Sequence, residues 1–256
     1  MILSEKQLLT ALVITYNEEQ NIKTVLDHLA FADEIIVVDS FSTDKTFEIA
    51  ASYENVKVVQ RAFDNFACQR NYALSLASNS WVLFMDADER ITPELQQEIS
   101  FVINQQNSAA AYYMRRNFMF ENKKLRFSGW QTDKIIRLFK KENASYNIKK
   151  IVHEKLIVNG KIGKLKNRLI HHSYSNYDDY KQKMVFYGQL KAQEEVLKKT
   201  SPNFFHFYIR PAYQFLNQYL VRFGFLDGKK GVIICYLNAL SVAVRFQELK
   251  KIKAKN

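Results

Sequence analysis

The chain has very few cysteines. Cys68 and Cys235 are the only two among 256 residues, and they lie far apart in the sequence. Two isolated thiols do not build the disulfide framework that staples small secreted domains, so a reducing compartment is expected. Because 47% of the residues are hydrophobic, the chain is able to bury one sizeable core, or one large domain with an appendage.

Long apolar runs are also absent. The uncharged stretch at residues 231–244 is shorter than the roughly 20 residues that a membrane-spanning helix needs, and it contains Asn238 and Ser241. The apolar stretch at residues 8–16 has no basic segment before it and no small-residue cleavage site after it. The sequence therefore predicts neither a signal peptide nor a membrane span, and it favours a cytoplasmic protein.

Acidic residues are scarce towards the C-terminus. Residues 198–256 hold eleven Lys or Arg against only Asp227 and Glu248, and so carry most of the net charge of +11. The same segment is rich in aromatic residues: Phe204, Phe205, Phe207, Tyr208, Tyr213, Phe215, Tyr219, Phe223 and Phe225. This combination suits an anionic membrane surface, although a solvated helical subdomain is the simpler alternative. It also suits nucleic acid, but no nucleic-acid-binding motif is present and none is expected as a partner.

The first half of the chain alternates strand and helix patterns. The predicted strands are at residues 8–14, 34–39, 56–59 and 81–86. The predicted helices are at residues 18–30, 44–53 and 66–77, with another from Thr92. Continuous apolar strands alternating with helices indicate an α/β fold with a mostly parallel sheet covered by helices on both faces. Ligands of such sheets bind at the carboxyl ends of the strands.

The pattern changes after about residue 109. Two further strands are predicted at residues 110–115 and 134–139, with longer connections between them. From Asp178 the chain is mainly helical, with Pro202 and Pro211 as breaks. We therefore predict a nucleotide-binding and catalytic domain at residues 1–175 and a helical, amphipathic, basic and aromatic region at 176–256.

Polar clusters follow three of the predicted strands, at residues 15–19, 39–44 and 86–89. Asp86 and Asp88 leave one strand end close together, and a divalent cation relieves the repulsion between two such carboxylates. Magnesium typically takes one or two carboxylates and completes its shell with water and phosphate oxygens. No glycine-rich phosphate loop is present. A diphosphate would then be held by the cation and by basic side chains, for which Arg70 is a candidate.

Four motifs in order resemble glycosyltransferase family 2, whose members have the GT-A fold. They are Thr-Tyr-Asn-Glu-Glu at 15–19, Val-Val-Asp-Ser-x-Ser-x-Asp at 37–44, Gln-Arg-Asn at 69–71 and Asp-Ala-Asp-Glu at 86–89. Later motifs at 129–130, 137–139, 152–154, 171–174 and 224–228 are similar to the branch that glucosylates the lipopolysaccharide inner core. The resemblance implies an inverting transfer of a hexose, glucose from UDP-glucose, to a lipid-linked core sugar at the inner face of the cytoplasmic membrane.

The resemblance also assigns roles to matching residues. Contacts to the nucleobase and ribose fall to Thr15, Tyr16, Asn17, Glu18 and Asp39. Asp86 would lie near the ribose and the metal, and Asp88 would ligate Mg²⁺ or Mn²⁺. His171 resembles a third metal ligand, with His172 as the alternative. Many family members carry the catalytic base in a Glu-Asp pair. This chain has His153-Glu154 at that place, so the resemblance implies that Glu154 is the catalytic base.

Two further residues are candidates for contacts with the acceptor or a phosphate. Trp130 is able to stack on a sugar ring or to fill a core. Arg137 is able to bind substrate or to pair with Asp133 or another nearby acid. One carboxylate base suits a single in-line displacement, whereas a glycosidase needs a pair of carboxyl groups flanking the bond.

Two other classes of function compete with glycosyl transfer. A nucleotidyltransferase also uses an Asp-x-Asp metal site, but it would need a glycine-rich basic loop, and residues 15–19 contain neither glycine nor a basic residue. A non-catalytic module with the same fold would use its basic tail to dock on a membrane or a nucleic acid.

Overall fold

The computed structural model describes residues 6–121, 123–130, 133–147, 156–174 and 176–255. The described residues form two compact units. The first unit comprises Met1–Arg116 and Lys134–His171, and the second comprises Asn117–Asp133 and His172–Asn256. The chain enters the second unit for the last time close to the predicted boundary at residue 175. The segment 117–133 also groups with the C-terminal helices, which the sequence pattern did not indicate.

The first unit is built on four parallel strands. They are β1 (Leu9–Thr15), β2 (Glu34–Asp39), β3 (Val56–Gln60) and β4 (Trp81–Asp86), and they lie in the order β3-β2-β1-β4. β1, β2 and β4 are almost wholly buried along their length, as expected of strands covered on both faces. The four predicted strands are confirmed.

The remaining strands make the sheet mixed. They are β5 (Glu89–Arg90), β6 (Ala111–Phe120), β7 (Lys123–Leu125), β8 (Lys134–Lys140) and β11 (Ile162–Tyr174). The sheet continues in the order β4-β8-β6-β11-β5, and β7 pairs with β6. β8 runs antiparallel to both β4 and β6, and β5 runs antiparallel to β11. β9 (Ala144–Tyr146) and β10 (Leu156–Val158) form a separate two-stranded sheet.

Helices cover both faces of the parallel strands. They are α1 (Ile22–Leu29), α2 (Thr46–Ala51), α3 (Phe66–Leu76) and α4 (Pro93–Ile103). Alternate residues of β1 separate the two cores: Val13 packs in the cluster that includes α1 and α4, and Leu12 packs in the cluster that includes α3. The predicted fold class is therefore confirmed.

The starts of two predicted helices, at Thr92 and at residue 44, have different outcomes. The Thr92 hydroxyl accepts a hydrogen bond from the Leu95 N–H at 3.3 Å, with Pro93 in the first turn of α4, as its sequence indicates. Asp44 accepts from the N–H of Thr46 at 3.0 Å, but α2 begins only at Thr46, so Asp44 closes a turn just before the helix.

The second unit is helical apart from its β-hairpin. It contains α5 (Tyr177–Leu197), α6 (Arg210–Leu216) and α7 (Lys229–Lys255). π-Helical turns at Phe205–Ile209 and Asn217–Val221 flank α6, and 3₁₀ turns lie at Gly224–Asp227 and, in the first unit, at Lys141–Asn143. Pro202 lies in a non-helical gap, as predicted. The prediction of a break at Pro211 is wrong. The backbone keeps helical angles from the π-helical turn at Phe205–Ile209 into α6, so Pro211 lies inside a helical stretch. The π-helical turn changes the hydrogen-bond spacing just before this proline.

Two features join the segment 117–133 to the C-terminal helices. Phe118 and Phe120 are buried in one cluster with Tyr180 of α5 and Ile234 of α7. The Asp227 carboxylate accepts the backbone N–H groups of residues 126 and 127 at 3.0 and 2.9 Å. The Gly-Phe-Leu-Asp-Gly motif at 224–228 therefore fixes the β6–β7 hairpin to the start of α7.

One helix in the described residues passes a length and composition test for a membrane span, at Lys229–Ala254. Its most apolar window is 39% buried within the chain, and Ile234, Leu237, Phe246 and Leu249 of this helix pack in the cores of the second unit. A core helix of a soluble protein passes the same test, so the helix does not by itself assign a membrane span.

Candidate functional site

The carboxyl ends of three parallel strands meet at one edge of the sheet. Thr15 at the end of β1 is in register with Asp39 at the end of β2. Ile14 of β1 is in register with Asp86 at the end of β4. The three polar clusters expected from the sequence therefore lie on neighbouring strands, at the edge where open α/β sheets bind ligands.

Hydrogen bonds join the loop after β1 to the loop after β2. The Asn17 side-chain oxygen accepts the Thr43 N–H at 2.8 Å, and the Asn17 N–H donates to the Ser42 hydroxyl at 2.9 Å. The Glu18 N–H donates to the Thr46 hydroxyl at 2.7 Å. Asn17 has a φ of 53°, in the left-handed region that asparagine tolerates better than most residues. The two loops of the predicted donor site thus form one hydrogen-bonded structure.

Asp39 supports these loops from below. Its side chain is fully buried and accepts from the Ser42 N–H at 3.0 Å, the Ser42 hydroxyl at 2.5 Å and the Gln60 amide at 3.1 Å. Thr15 is buried too, and its hydroxyl has no hydrogen-bond partner among the described residues. Tyr16, by contrast, is 57% exposed. Tyr16 therefore offers an accessible aromatic side chain to a ligand.

Asp86 lies between two arginines. Arg70 Nη2 donates to Asp86 Oδ1 at 2.7 Å, and Arg137 Nη2 donates to Asp86 Oδ2. The same Arg137 nitrogen lies 2.8 Å from Glu89 Oε1, and Arg116 Nη1 lies 3.5 Å from that oxygen. Three guanidinium groups thus alternate with two carboxylates in one row at this edge of the sheet.

The charged side chains in this row shift the pKa values of their neighbours. Burial alone would raise the pKa of Asp86, but the charges of Arg137 and Arg70 outweigh burial and hold this pKa well below its ordinary value. Burial alone would lower the pKa of Arg137, and the charges of Asp86 and Glu89 raise it instead. Asp86 is therefore a carboxylate with both oxygens directed to arginines. Its role as a metal ligand stays a prediction, in competition with these two ion pairs.

Asp88 has a different partner. His171 Nε2 lies 3.3 Å from Asp88 Oδ2, and both side chains are partly exposed. Strand pairing explains the contact, because β11 runs antiparallel to β5 and places His171 opposite Glu89, the residue after Asp88. His172 follows on the same strand, where successive side chains point to opposite faces. The structure therefore brings His171 to the Asp-x-Asp motif.

The donor atoms of Asp88 and His171 fit a divalent cation that is shared with a substrate. A carboxylate oxygen and an imidazole nitrogen are both metal ligands in proteins. The described residues include no group of three or more His, Cys, Asp or Glu side chains able to hold a metal ion. Two protein ligands leave positions for phosphate oxygens and water, which is how Mg²⁺ is usually bound at nucleotide sites.

The two acceptor candidates lie in different units. Trp130 belongs to the second unit and stacks on Phe118 with ring centroids 3.8 Å apart, so one face of the indole is covered. Arg137 is only 2% exposed and pairs with Asp86 and Glu89 rather than with Asp133. The structure therefore favours the pairing role of Arg137 over direct contact with substrate. Glu154, like His153, lies outside the described residues.

Sequence reasoning did not single out Glu89, Arg116 or Gln60. Glu89 has an available signal, since it closes the Asp-Ala-Asp-Glu motif and is fully buried in spite of its charge. Arg116 is one of two adjacent arginines on β6, and only strand pairing distinguishes it from the exposed Arg115. Gln60 ends β3, and its position beside Asp39 follows from the order of the strands.

Comparison with known families identifies the class. Residues 10–158 match the model of glycosyl transferase family 2. This match covers more than half of the chain, and the chain belongs to that family. It is therefore a glycosyltransferase, and the nucleotidyltransferase and non-catalytic alternatives are not supported.

Similar proteins match the whole chain. An uncharacterized glycosyltransferase of Rickettsia typhi is 28% identical over 97% of this chain and 88% of its own length. The lipopolysaccharide core biosynthesis glycosyltransferase LpsC of Rhizobium meliloti is 25% identical over 93% of this chain and 92% of its own length. The crystal structure of S. aureus TarS in complex with UDP superposes with a TM-score of 0.50 at 16% identity, covering 98% of this chain and 92% of that one. This last similarity shows the shared GT-A fold.

Proposed function

We propose that this protein is an inverting hexosyltransferase that moves glucose from UDP-glucose to a sugar of the lipopolysaccharide inner core. The observation that carries the proposal is the approach of His171 to Asp88, beside an Asp86 held by two buried arginines at the ligand-binding edge of the sheet. Two comparisons support the finer assignment. The Rhizobium relative acts in lipopolysaccharide core biosynthesis, and the TarS structure contains UDP.

The charge of the site suits a diphosphate. Arg70, Arg137 and Arg116 bring positive charge to this edge, where they pair with Asp86 and Glu89 in the row described above. Asp88 and His171 would hold the divalent cation, Mg²⁺ or Mn²⁺. When bound, this cation would supply positive charge to the departing diphosphate.

The joined loops supply the nucleoside side of the site. Tyr16 offers an exposed aromatic ring for stacking on a base, and the hydrogen bonds of Asn17 and Glu18 hold the adjoining backbone in place. Because Asp39 is buried beneath the loops, it fixes their shape as well as providing a carboxylate near the ribose position. A pre-formed loop loses little conformational entropy when the nucleotide binds.

The transfer itself needs one base. Glu154 accepts the proton of the acceptor hydroxyl while that oxygen bonds to the anomeric carbon and the bond from this carbon to the diphosphate oxygen breaks. A single displacement of this kind inverts the anomeric configuration.

Membrane attachment is assigned to the second unit. Between residues 204 and 226 a continuous set of large apolar side chains is at least 43% exposed: Phe204, Phe205, Tyr208, Ile209, Tyr213, Leu216, Leu220, Val221, Phe223, Phe225 and Leu226. Monomeric soluble proteins rarely expose so many apolar residues together. Arg210 and Arg222 lie in the same segment, so apolar insertion and attraction to anionic lipid would act together. This supports a peripheral location at the inner face of the cytoplasmic membrane.

Nucleotide release with a panel of donors tests the proposal. The purified protein is incubated with UDP-glucose, UDP-galactose, UDP-N-acetylglucosamine, GDP-mannose or TDP-glucose, with and without Mn²⁺, and with or without truncated lipopolysaccharide core acceptor. We expect UDP release from UDP-glucose that requires both acceptor and cation, with a product of inverted anomeric configuration. If the nucleotide is released only from a different donor, the sugar of that donor would replace glucose in the proposal. If the nucleotide is released at the same rate without the acceptor, the proposed transfer is contradicted.

A further inference from the structure

The second unit contains a cavity of about 340 Å³, and among the described residues its wall includes three cations and no acid. Lys191 of α5, Arg222 after α6 and Arg245 of α7 contribute side chains to its wall, together with Trp130. The other polar residues of the wall are uncharged. We name this space the cationic cavity.

Two residues of this wall, Arg245 and Trp130, each carry a buried donor that has no acceptor. The Nε–H of Arg245 and the indole Nε1–H of Trp130 are both buried without a hydrogen-bond partner in the part of the chain that the structure describes. A buried N–H without a partner destabilises the fold, and more so in a charged group, so native proteins keep few of them. The donor set of this wall therefore matches an acceptor-only ligand.

The cations of the cavity also act on one another. Burial lowers the pKa of Lys191, and the nearby charge of Arg245 lowers this pKa further, against the opposite effect of Glu194. Burial likewise lowers the pKa of Arg245, against the effect of Glu195. Neither glutamate is part of the cavity wall. An anion inside the cavity would relieve both the burial and the repulsion of these cations.

The backbone of the wall is adapted to this arrangement. Gly129 has a φ of +101°, and a Cβ placed on it would lie 2.7 Å from Nη1 of Arg222. Any other residue there would be strained and would displace the guanidinium. Gly188 has a similar function between α5 and α7, since its Cβ would lie 2.7 Å from the backbone oxygen of Ser241, a residue of the same wall.

A second cavity, of about 460 Å³, shares Arg245, Gln214 and Val242 with the first. Its remaining wall is formed by Phe205, Ile209, Tyr213 and one further cation, Arg210, so it has a larger share of apolar side chains than the first. An anionic group at Arg245 would therefore have polar donors on one side and apolar side chains on the other.

We propose that the cationic cavity binds the phosphoryl group of a phosphate monoester, with Arg245, Lys191 and the Trp130 indole as the donors. A phosphate offers several strong acceptors and no obligatory donor, which matches this wall. Two kinds of ligand carry such a phosphoryl group. One is a phosphorylated sugar, which would occupy only the cationic cavity, and the other is an anionic lipid, whose chain would enter the second cavity. This site is additional to the proposed transfer site, and ligand binding to it can be measured without the transfer reaction.

Isothermal titration of the full chain, at fixed ionic strength, tests the site. The probes are glucose 6-phosphate and dihexanoyl phosphatidic acid, and the uncharged controls are glucose and hexyl glucoside. We expect saturable binding of at least one phosphate probe and none of either control. Binding of glucose 6-phosphate alone identifies a sugar phosphate, and binding of phosphatidic acid alone identifies a lipid. No saturable binding of either probe, or equal binding of the controls, overturns the proposal.

Three variants assign the donors. Arg245→Met and Lys191→Met each remove a cation while keeping an apolar stem, and we expect affinity to fall at least about tenfold in each. Trp130→Phe keeps a ring against Phe118 and removes the N–H, so it should weaken binding by a smaller factor. The matched control is Lys253→Met. It removes an exposed cation of α7, the helix of Arg245, that is not part of the cavity wall.

A melting curve of each variant separates loss of the site from loss of the fold. Lys191→Met keeps the proposal testable if Arg245→Met does not fold, since Lys191 lies on a different helix. Wild-type affinity in a folded Arg245→Met or Lys191→Met variant would overturn the proposal, as would an equal loss in Lys253→Met.

Discussion

His171 Nε2 lies 3.3 Å from Asp88 Oδ2, across the pairing of β11 with β5. An imidazole and a carboxylate that converge at the ligand-binding edge of a parallel sheet fit the proposed cation, to which a nucleoside diphosphate would add its own oxygens. The account of this protein as a metal-assisted glycosyltransferase depends on this relationship.

The adjacent histidines provide a matched pair for the metal site. We expect His171→Ala to weaken the apparent affinity for Mn²⁺ at least about tenfold in the nucleotide-release assay, because it removes one of two protein ligands. His172→Ala should stay close to wild type, since its side chain points to the other face of β11. Equal losses in both variants, or a loss only in His172→Ala, would contradict the assignment of His171 as the metal ligand.

Removal of Arg137 should destabilise the first unit. Arg137→Met leaves the buried Glu89 and the Asp86 carboxylate without their shared partner, and breaking a buried ion pair in this way costs about 3–5 kcal/mol. Urea unfolding measures the change in the free energy of unfolding. Arg115→Met is the control, because Arg115 is exposed on β6 and its loss should change stability by about 0.5 kcal/mol or less. A stable Arg137→Met variant would show that the row of charges is not structural.

The charge row also predicts a pH dependence. The pKa of Asp86 is lowered in the folded chain from its ordinary value of 3.8, so the carboxylate stabilises the fold above that pH. This contribution falls progressively as the pH drops below the ordinary value, and it is lost completely only below the lower, folded pKa. Unfolding curves of wild type and Asp86→Asn from pH 7 to pH 3 should therefore differ by a constant free energy down to about pH 4, and by less below it. A difference that shrinks between pH 7 and pH 5 would contradict the lowered pKa.

The parallel half of the fold was predictable from local sequence. The runs at 34–39 and 81–86 are the strands β2 and β4 with unchanged bounds, because strands buried on both faces are uninterrupted apolar segments. Pro211 shows the limit of such reasoning. Proline usually breaks a helix interior, and the sequence does not show that a π-helical turn precedes this proline within one continuous helical stretch.

The sequence predicts which loops form the candidate site, but it predicts only some of the contacts between their side chains. Strand ends converge by topology, so Asn17, Asp39 and Asp86 were expected near one another. The partners of Arg137 were not evident, because Asp133 is nearer in sequence while Asp86 comes from β4, which pairs with β8. The choice between His171 and His172 likewise depends on the register of two strands that are distant in the chain.

The proposed base gives a prediction that separates binding from chemistry. Glu154→Gln should keep the thermal shift caused by UDP-glucose and lose transfer, because the amide is unable to accept the proton of the acceptor hydroxyl. Glu142→Gln is the control, as it changes an exposed acid in the 3₁₀ turn before β9. Wild-type transfer by Glu154→Gln would move the base elsewhere, with His153 the next residue to test.

The exposed apolar segment of the second unit predicts binding to anionic vesicles. Phe204→Ser or Val221→Ser should weaken sedimentation with vesicles that contain phosphatidylglycerol by about tenfold, because each removes a side chain that is about 70% exposed. Phe101→Ser removes a similarly exposed aromatic residue of the first unit and should have no effect. Added salt should weaken binding of all these proteins. Salt-independent binding, or an equal effect of Phe101→Ser, would argue against this surface.

The most direct measurement is the thermal shift produced by UDP with and without Mn²⁺, in wild type and in Asp88→Asn. A ligand that binds the folded state raises the midpoint of unfolding according to its affinity. The account predicts that Mn²⁺ enlarges the UDP-induced shift in wild type and has no such effect in Asp88→Asn, while the two ligand-free midpoints agree. An equal enlargement by Mn²⁺ in Asp88→Asn would contradict it.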